Sequence, residues 1–201
     1  MLAKTADIVS PTPPQGTRGR LLEAALREVR RNGFRATSVN DILASTGLTK
    51  GAFYHYFPSK RALGVAIIDE VLLANVDAVW VRPLRDAPRP FEALTALLAA
   101  AEADAESLLL GHLADELADV DEVLRERLQR VYDRWITALA DALTRAQTQG
   151  HVTARVDTRD TAAFVVAALA GSHVLARTAR SGATLVRCRD QLLCYLDCIR
   201  A

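Results

Sequence analysis

Three cationic side chains stand where helices are predicted to begin. Lys50 follows Thr49, and Lys60 and Arg61 follow Ser59, so each cation lies in the first turn after a hydroxyl residue that can cap a helix. A cation at such a position costs roughly 0.3–1 kcal/mol, because it meets the positive end of the helix macrodipole. Phosphates would remove this cost, since they bind free backbone amides and cationic side chains together. The spacing therefore predicts contacts with nucleic-acid phosphates, and the alternative is that these cations are simply solvated.

Small and aromatic residues lie between these two helix starts. Gly51 would destabilise a helix by about 1 kcal/mol relative to alanine, so its presence needs a reason. Because Gly51 and Ala52 are both small, the helix could approach base edges in the major groove closely at these positions. The alternative for Gly51 is a glycine that packing tolerates. The run FYHYF at residues 53–57 is too aromatic for one short helix to bury completely. We expect Phe53 and Phe57 to lie in the core, and the three residues between them to offer hydrogen-bond donors to phosphates.

The elements that would position these residues are three short helices and a long fourth helix. Apolar residues recur at helical spacing over residues 17–32, and Gly33 ends that first helix. A second and a third short helix follow, and Pro58 ends the third. The candidate N-caps, in chain order, are Thr17, Thr37 or Ser38, Thr49 and Ser59.

The segment ATSVNDILASTGLTKGAFYHYFPSKRAL at residues 36–63 resembles the DNA-binding domain of the tetracycline-repressor (TetR) family. The resemblance, which covers residues 18–75, implies an all-α fold: an N-terminal three-helix helix-turn-helix domain, a long helix 4, and a C-terminal helical-bundle domain, nine helices in all. It also implies DNA contacts at positions that match known contacts of the family. With Ser38 and Ala52 included, the predicted DNA-binding residues are Thr37, Ser38, Thr49, Lys50, Gly51, Ala52, Tyr54, His55, Tyr56 and Lys60.

The formal net charge of +1 conceals a segregation of charge along the chain. Between Arg18 and Arg61 there are nine Lys or Arg residues and three acidic residues, a balance of +6, so the rest of the chain carries −5. A basic first quarter joined to an acidic remainder indicates that one end of the protein meets a polyanion. We therefore expect DNA to be the partner of the N-terminal region.

Composition and periodicity divide the chain into three regions. The predicted divisions are a flexible N-terminal arm at residues 1–16, the helix-turn-helix domain at 17–62, and a helical ligand-binding and dimerisation domain at 63–201. In the last region we expect a linker at residues 83–90, followed by helices at 91–106, 112–118, 121–150, 158–180 and 184–199.

A single recognition helix contacts only a few base pairs, so sequence-specific binding predicts a homodimer on a palindromic duplex with two half-sites about 34–36 Å apart. The resemblance implies that the last two helices of each copy form the dimer interface. The alternative is that both helices are plain monomer core. The predicted interface residues are Val166, Leu169, Ala170, His173, Leu192 and Leu196.

The resemblance also implies that the middle helices surround a pocket for a small-molecule effector. The candidate pocket residues are the polar and aromatic groups expected to face the helical body: Trp80, His112, Glu116, Tyr132, Trp135, His173 and Arg177. His112 and Glu116 have the i, i+4 spacing of a metal-binding pair, but two ligands do not make a site, so we predict no metal and no cofactor.

Three cysteines, Cys188, Cys194 and Cys198, crowd into the last stretch of the chain. An odd number in one place does not form a disulfide framework, so we expect reduced thiols. Small buried thiols are the favoured interpretation, and a sensing or metal-binding pair at Cys194 and Cys198 is the alternative.

The absence of several sequence features bears on location and function class. The chain has no uninterrupted apolar run of about 18 residues and no hydrophobic N-terminal stretch, so we expect a cytoplasmic protein that binds no membrane. It has no nucleophile elbow, no phosphate-binding glycine loop and no His-Glu-x-x-His, so we expect that it is not an enzyme. The predicted function is a sequence-specific repressor that a ligand releases from its operator. The alternatives are a helical-bundle enzyme or carrier, a DNA-binding activator without an effector, and a DNA-binding protein without sequence preference.

Overall fold

The computed structural model describes residues 16–101 and 105–201, and for residues 105–108 it describes the backbone alone. Except for Gly16, the predicted arm at residues 1–16 lies outside these described residues.

Nine helices form within the described residues, and the predicted all-α fold is confirmed. The fourth is continuous, but its α-helical turns at Lys60–Ala66, Leu73–Val76 and Arg82–Asp86 alternate with π-helical turns at Ile67–Leu72 and Asp77–Val81. In chain order the helices are α1 (Thr17–Asn32), α2 (Val39–Ala44), α3 (Lys50–Tyr56), α4 (residues 60–86), α5 (Pro90–Ala100), α6 (Ala105–Leu117), α7 (Glu122–Thr148), α8 (Thr158–Thr178) and α9 (Ala183–Cys198).

Three of the predicted N-caps hold the short helices in place. Ser38 forms a capping box with Asp41 at the start of α2. The Thr49 side chain accepts a hydrogen bond from the Ala52 amide, and the Ser59 side chain does the same for the fourth helix. The prediction for Thr17 is wrong by one residue, because Thr17 is the first residue of α1 and Gly16 precedes it without a side-chain cap.

A small core fixes the relative positions of α1, α2 and α3. Leu21 and Leu22 of α1, Ile42 of α2 and Phe53 of α3 are buried against one another. Gly47 adopts a φ of +66° in the turn between α2 and α3, a conformation that glycine reaches without a steric cost. This core holds one side of α3 inside the domain and leaves its other side at the surface.

The predicted linker at residues 83–90 is too long: α4 continues through Pro83 as far as Asp86, and only residues 87–89 connect it to α5. Pro83 lies in the first turn of the last α-helical segment, where proline's fixed φ suits the helix. The predicted helix at 91–106 also ends early, at Ala100, and the next helix begins by Ala105 instead of at residue 112.

The long helix α7 runs beside α4 and forms the centre of the helical body. The apolar stripe of this helix is buried along its whole length, from Leu124 to Leu143. Three ion pairs join the two helices in order along their lengths: Arg61 with Asp121, Asp69 with Arg127, and Asp77 with Arg134. These contacts align α4, which begins in the DNA-binding region, with the body of the protein.

Helix α8 packs between α7 and α9 in the body. By length and composition it is the one helix among the described residues that is apolar enough to cross a membrane, and 44% of its apolar window is buried inside the protein. Asp157 caps its start, because the Asp157 side chain accepts hydrogen bonds from the amides of Arg159 and Asp160.

The three cysteines are free thiols on α9. Cys188 is half-buried, whereas Cys194 and Cys198 are exposed. The expectation of buried thiols is therefore wrong for Cys194 and Cys198, because they lie on the side of α9 that faces away from the core formed by Leu192 and Leu196.

Candidate DNA-binding surface and inter-domain cavity

The outward side of α3 collects most of the predicted DNA-binding residues. Lys50, Gly51, Tyr54, His55 and Tyr56 are exposed together, and Tyr54 is 51% exposed despite its aromatic ring. As predicted, Phe53 and Phe57 are buried. We call the exposed set the α3 outer face. The α3 outer face combines a cation, three aromatic side chains that can form hydrogen bonds, and the exposed backbone at Gly51.

Ring contacts order the aromatic side chains of the α3 outer face. The ring of Tyr54 lies edge-on to that of Phe53, with 5.3 Å between centroids, and the ring of Tyr56 lies edge-on to that of His55 at 4.8 Å. Edge-to-face is a favoured geometry for aromatic pairs, so both contacts stabilise the observed positions of the exposed rings.

Gly51 has no packing reason to be a glycine. A Cβ atom built at this position would meet only the Thr49 hydroxyl oxygen, at 3.8 Å, which is an ordinary van der Waals distance. Packing therefore tolerates a glycine here without requiring one. Close approach of DNA to the backbone at Gly51 stays a prediction.

Thr37 and Ser38 have roles within the chain. Thr37 is 1% exposed, and its hydroxyl donates to the carbonyl of Gly33 at 2.7 Å. Ser38 is exposed, but its hydroxyl donates to the Asp41 carboxylate at 2.6 Å. The prediction that Thr37 contacts DNA is at odds with this burial, because its side chain stabilises the link between α1 and α2 instead.

The cations at the start of α4 are also compensated within the chain. The Lys60 ammonium donates to the carbonyl of Arg35 at 3.0 Å and lies 5.0 Å from the centre of the Phe34 ring. Burial lowers the pKa of Lys60, more than the nearby carboxylates raise it. Arg61 pairs with Asp121 at 2.7 Å. The helix-dipole argument for phosphate binding therefore does not hold for Lys60 and Arg61, because partners within the chain compensate both charges. Among the three cations, it still applies to Lys50.

A contact between the α1–α2 link and α6 joins the DNA-binding region to the body. The Glu116 carboxylate of α6 accepts hydrogen bonds from the amides of Phe34, at 2.8 Å, and Arg35, at 2.5 Å. Two glycines make room for this contact: a Cβ at Gly33 would lie 3.1 Å from the Glu116 carboxylate, and one at Gly64 would lie 2.8 Å from the Phe34 ring. We call this contact the Glu116 junction.

A cavity of about 460 Å³ lies close to this junction, between the end of α1, helix α6, the end of α8 and the start of α9. Three of the predicted pocket residues, His112, His173 and Arg177, line it. Sequence reasoning missed the other residues of its wall, among them Arg30, Leu109, Ala176, Arg180 and Leu185.

The other four predicted pocket residues lie elsewhere. Trp80 and Trp135 are buried between α4 and α7, with 5.3 Å between their ring centroids, so they belong to the core. Tyr132 is half-buried on α7, and burial raises its pKa. Glu116 is occupied by the two amides of its junction. None of these four residues lines the cavity, and their part in an effector pocket stays a prediction.

His112 and Arg177 are hydrogen-bonded in the wall of the cavity, with 2.7 Å between the Arg177 guanidinium and His112 Nδ1. Arginine can only donate, so Nδ1 must accept and a neutral His112 carries its proton on Nε2. Burial and the charge of Arg177 lower the pKa of His112, more than Asp115 and Glu116 raise it. His112 and Glu116 thus point to different partners and do not form the metal pair that their spacing allowed.

The predicted dimer residues belong to the monomer core. Val166, Leu169 and His173 of α8 are buried, as are Leu192 and Leu196 of α9, and Ala170 is half-buried. Burial within one copy favours the alternative of plain core for the five buried residues, and a dimer contact at Ala170 stays a prediction. The large apolar side chains that α8 and α9 expose are Phe164, Val174, Leu175 and Val186, which we call the α8–α9 outer face.

Two family descriptions match the sequence in consecutive stretches. Residues 21–67 match "Bacterial regulatory proteins, tetR family". Residues 90–191 match "Transcriptional regulator LmrA/YxaF-like, C-terminal domain". The first stretch contains the α3 outer face, and the second contains most of the helices that enclose the cavity.

Curated relatives include two regulators. The HTH-type transcriptional repressor DhaR of Mycobacterium sp. (strain GP1) is 25% identical over 142 residues, which cover 67% of this chain and 69% of that protein. The HTH-type transcriptional regulator LmrA of Bacillus subtilis (strain 168) is 25% identical over 177 residues, which cover 85% of this chain and 91% of that one.

Solved structures show the same fold. The reduced form of NemR from E. coli superposes with a TM-score of 0.79 at 23% identity, over 92% of this chain and 98% of that one. GusR from Salmonella enterica gives a TM-score of 0.72 at 28% identity, over 94% of this chain and all of that one. The arrangement of a helix-turn-helix domain on a helical body is therefore shared with these proteins.

Proposed function

This chain belongs to the TetR family of bacterial regulatory proteins, and from that membership we propose that it is a homodimeric repressor that a small-molecule effector releases from its operator. The observation that carries the proposal is the α3 outer face, with its exposed Lys50 and a Gly51 that internal packing does not require. Its activity is binding, and we place it in the cytoplasm with the DNA that it regulates.

In the proposed complex, α3 enters the major groove by its N-terminal end. The backbone at Gly51 and Ala52 then approaches the base edges, and Lys50 meets a phosphate beside the groove. Tyr54, His55 and Tyr56 supply O–H and N–H donors to the flanking phosphates or bases. Thr49 and Ser38 cap the helices that carry these contacts, and Lys60 reaches DNA only if it leaves the carbonyl of Arg35.

We propose that the α8–α9 outer face binds a second copy of the chain. It presents exposed aromatic and aliphatic side chains, of which Leu175 is 57% exposed, on a helix whose opposite side is core. Gly171 lies on the same exposed side, and a Cβ there would meet open space, so its small size serves no contact among the described residues. A helix from another copy can approach closely at such a position.

The cavity is the proposed effector site, because its wall includes both α1 and the body. An effector that shifts α6 would move Glu116, and with it the α1–α2 link whose amides Glu116 holds. A coupling free energy of about 1–3 kcal/mol between the two sites changes operator affinity roughly 5- to 150-fold. That range is sufficient to switch transcription.

Binding to the DNA upstream of the protein's own gene tests the proposal. Fluorescence anisotropy at several salt concentrations should give specific affinity for this DNA about 10³-fold or more above that for random duplex of equal length. Equal affinity for the two duplexes would favour a DNA-binding protein without sequence preference, and no binding to either would favour an enzyme or carrier.

A further inference from the structure

We propose that the cavity binds a small organic anion, a carboxylate or a phosphate ester attached to an apolar group. This inference rests on the proposed function, since it names the chemical class of the effector. Its basis is the concentration of cationic side chains from two domains around one cavity.

Three arginines line the cavity from different directions. Arg30 comes from α1 of the DNA-binding domain, Arg177 from the last turn of α8, and Arg180 from the link between α8 and α9. The residues known to line the cavity, within the part of the chain that the structure describes, include no carboxylate. The nearby Glu116 carboxylate already holds two backbone amides. A bound anion would therefore be attracted by the guanidinium groups of Arg177 and Arg180.

The contact with His112 orients one of these arginines. Because His112 Nδ1 accepts from Arg177, part of the guanidinium is fixed in the wall, and its planar fork has further N–H groups that can donate to a carboxylate or phosphate. A neutral His112 keeps one N–H donor, at Nε2. The pair thus presents donors to the cavity and adds no acceptor that would repel an anion.

Arg180 occupies a backbone position that favours glycine. Its φ of +49° makes it the one non-glycine residue with a positive φ among the described residues. An L-residue with a side chain is disfavoured in this left-handed conformation, which follows the end of a helix, where glycine is the usual choice. An arginine at this position places a guanidinium in the cavity wall at some cost in backbone energy. Strain of this kind is concentrated at functional sites.

The rest of the wall suits an apolar group. Leu109, Ala176 and Leu185 face the cavity between the cationic groups, and Ser181 and Gly182 bring the positive end of α9 to its edge. A volume of about 460 Å³ lies in the ordinary range for small-molecule sites and accommodates a substituted aromatic ring with an acidic group.

Arg30 gives the anion a means of affecting DNA binding. It lies on the same helix that packs against α2 and α3, so an anion bound beside it acts on the domain that carries the α3 outer face. The same anion also contacts the ends of α8 and α9, the two helices that carry the α8–α9 outer face.

Isothermal titration of the full-length protein with four probes of similar size tests the charge preference. The probes are benzoate, phenyl phosphate, benzamide and benzylamine. We expect one or both anions to bind about tenfold or more tightly than the neutral and cationic probes, because each lost charge-assisted hydrogen bond weakens binding by at least that factor. Tighter binding of benzoate would identify a carboxylate effector, and tighter binding of phenyl phosphate would identify a phosphate ester.

Two variants and a control locate the anion in the cavity. Arg177→Gln and Arg180→Gly should each weaken anion binding about tenfold. Arg180→Gly should at the same time leave the melting temperature unchanged or raise it, since glycine suits the left-handed backbone, and a purely structural role for Arg180 would not give that combination. The control is Arg155→Gln, which removes an exposed arginine from the loop before α8 and should change neither property.

The outcomes separate this inference from the proposed function. If the anions bind in the cavity but do not weaken operator binding, the ligand class stands and the release step of the proposed function is wrong. If the protein binds no specific DNA, the titration still decides the chemistry of the cavity. Equal binding of benzamide and benzoate, no binding of either anion at millimolar concentration, or anion binding that both arginine variants leave unchanged would each overturn the inference.

Discussion

At the residue scale, Gly51 is the position where we expect stability and operator binding to oppose each other. An alanine there adds a Cβ that contacts only the Thr49 hydroxyl oxygen at an ordinary distance, so the fold tolerates it. Gly51→Ala should raise the free energy of unfolding by about 0.5–1 kcal/mol, because alanine is the better helix former. It should weaken operator binding, because the new methyl group separates α3 from the base edges. Chemical denaturation and fluorescence anisotropy measure the two effects.

Gly111→Ala is the matched control for that prediction. Gly111 also lies inside a helix, and a Cβ there meets no described atom within 4 Å, but the residue is in α6, away from α3. It should stabilise the fold to a similar degree without affecting operator binding. A Gly51→Ala protein with unchanged operator affinity would contradict the close approach of DNA to α3.

Lys50 and Lys60 should differ when each is replaced by alanine. If Lys50 contacts one phosphate in each half-site, Lys50→Ala removes two contacts per dimer and lowers the slope of log affinity against log salt by about 1.8. Lys60→Ala removes a hydrogen bond to the carbonyl of Arg35 and a contact with Phe34, so it should mainly lower the melting temperature. Anisotropy titrations over a range of salt concentration separate these results, and a loss of slope in Lys60→Ala alone would reverse the assignment.

This difference also shows what the sequence could predict about single residues. The i, i+4 spacing of Phe53 and Phe57 was sufficient to place both in the core, because it depends only on local helix geometry. The partners of Lys60 and Arg61 were not predictable, because Arg35 and Asp121 reach them through tertiary packing. Helix-dipole reasoning gives the local free-energy cost of a cation in the first turn of a helix. It does not include a residue distant in sequence that offsets this cost.

At the element scale, the Glu116 junction connects α6 to the link between α1 and α2. Glu116→Ala removes the acceptor for the amides of Phe34 and Arg35. Hydrogen exchange at these two amides should accelerate, while amides in the centre of α7 should keep their protection. The measurement is exchange followed by mass spectrometry or NMR on the full-length protein.

Asp115→Ala is the control for the Glu116 prediction. Asp115 is the exposed neighbour of Glu116 on α6, and its removal should leave exchange at Phe34 and Arg35 unchanged. Equal acceleration in both variants would mean that α6 loosens as a whole and that the two hydrogen bonds are not what protects the link.

Helix boundaries followed from the sequence where caps or helix-breaking residues mark them. Ser38, Thr49 and Ser59 were predictable as caps because each needs only the amides of its own helix. The continuation of α4 through Pro83 was not predictable, because contacts with α7 extend the helix beyond the point where local signals favour a break. Arg145 of α7 contributes to this by donating to the carbonyls of Leu84, Arg85 and Ala87.

At the scale of the whole molecule, the α8–α9 outer face predicts the oligomeric state. Leu175→Arg puts a charge where the proposed partner copy packs, so the protein should become monomeric in light scattering and lose operator affinity. Val120→Arg is the control, since Val120 is 59% exposed, at least as much as Leu175, but lies in the loop before α7. A Leu175→Arg protein that remains a dimer with full operator affinity would place the interface elsewhere.

The choice between the two faces of α8 was beyond sequence reasoning. Apolar residues are consecutive at Phe164-Val165-Val166 and again at Val174-Leu175, so the helix is apolar on its inner and outer sides alike. Periodicity identifies a helix but does not say which side meets α7 and which meets a second copy. The predicted interface therefore included residues that are buried in one copy. The dimer surface that we propose lies on the same two helices, on their exposed side.

Arg30 lies on the DNA-binding domain and also in the wall of the cavity, so effector binding and DNA binding involve the same helix. Thermodynamic linkage is reciprocal. If the effector lowers the affinity of the protein for DNA by some factor, DNA lowers its affinity for the effector by the same factor. Protein bound to an operator then has a lower affinity for the effector than unbound protein has. As the effector concentration rises, the unbound copies therefore bind it first. The effector concentration that triggers a response must therefore rise with the number of unbound copies that the cell maintains.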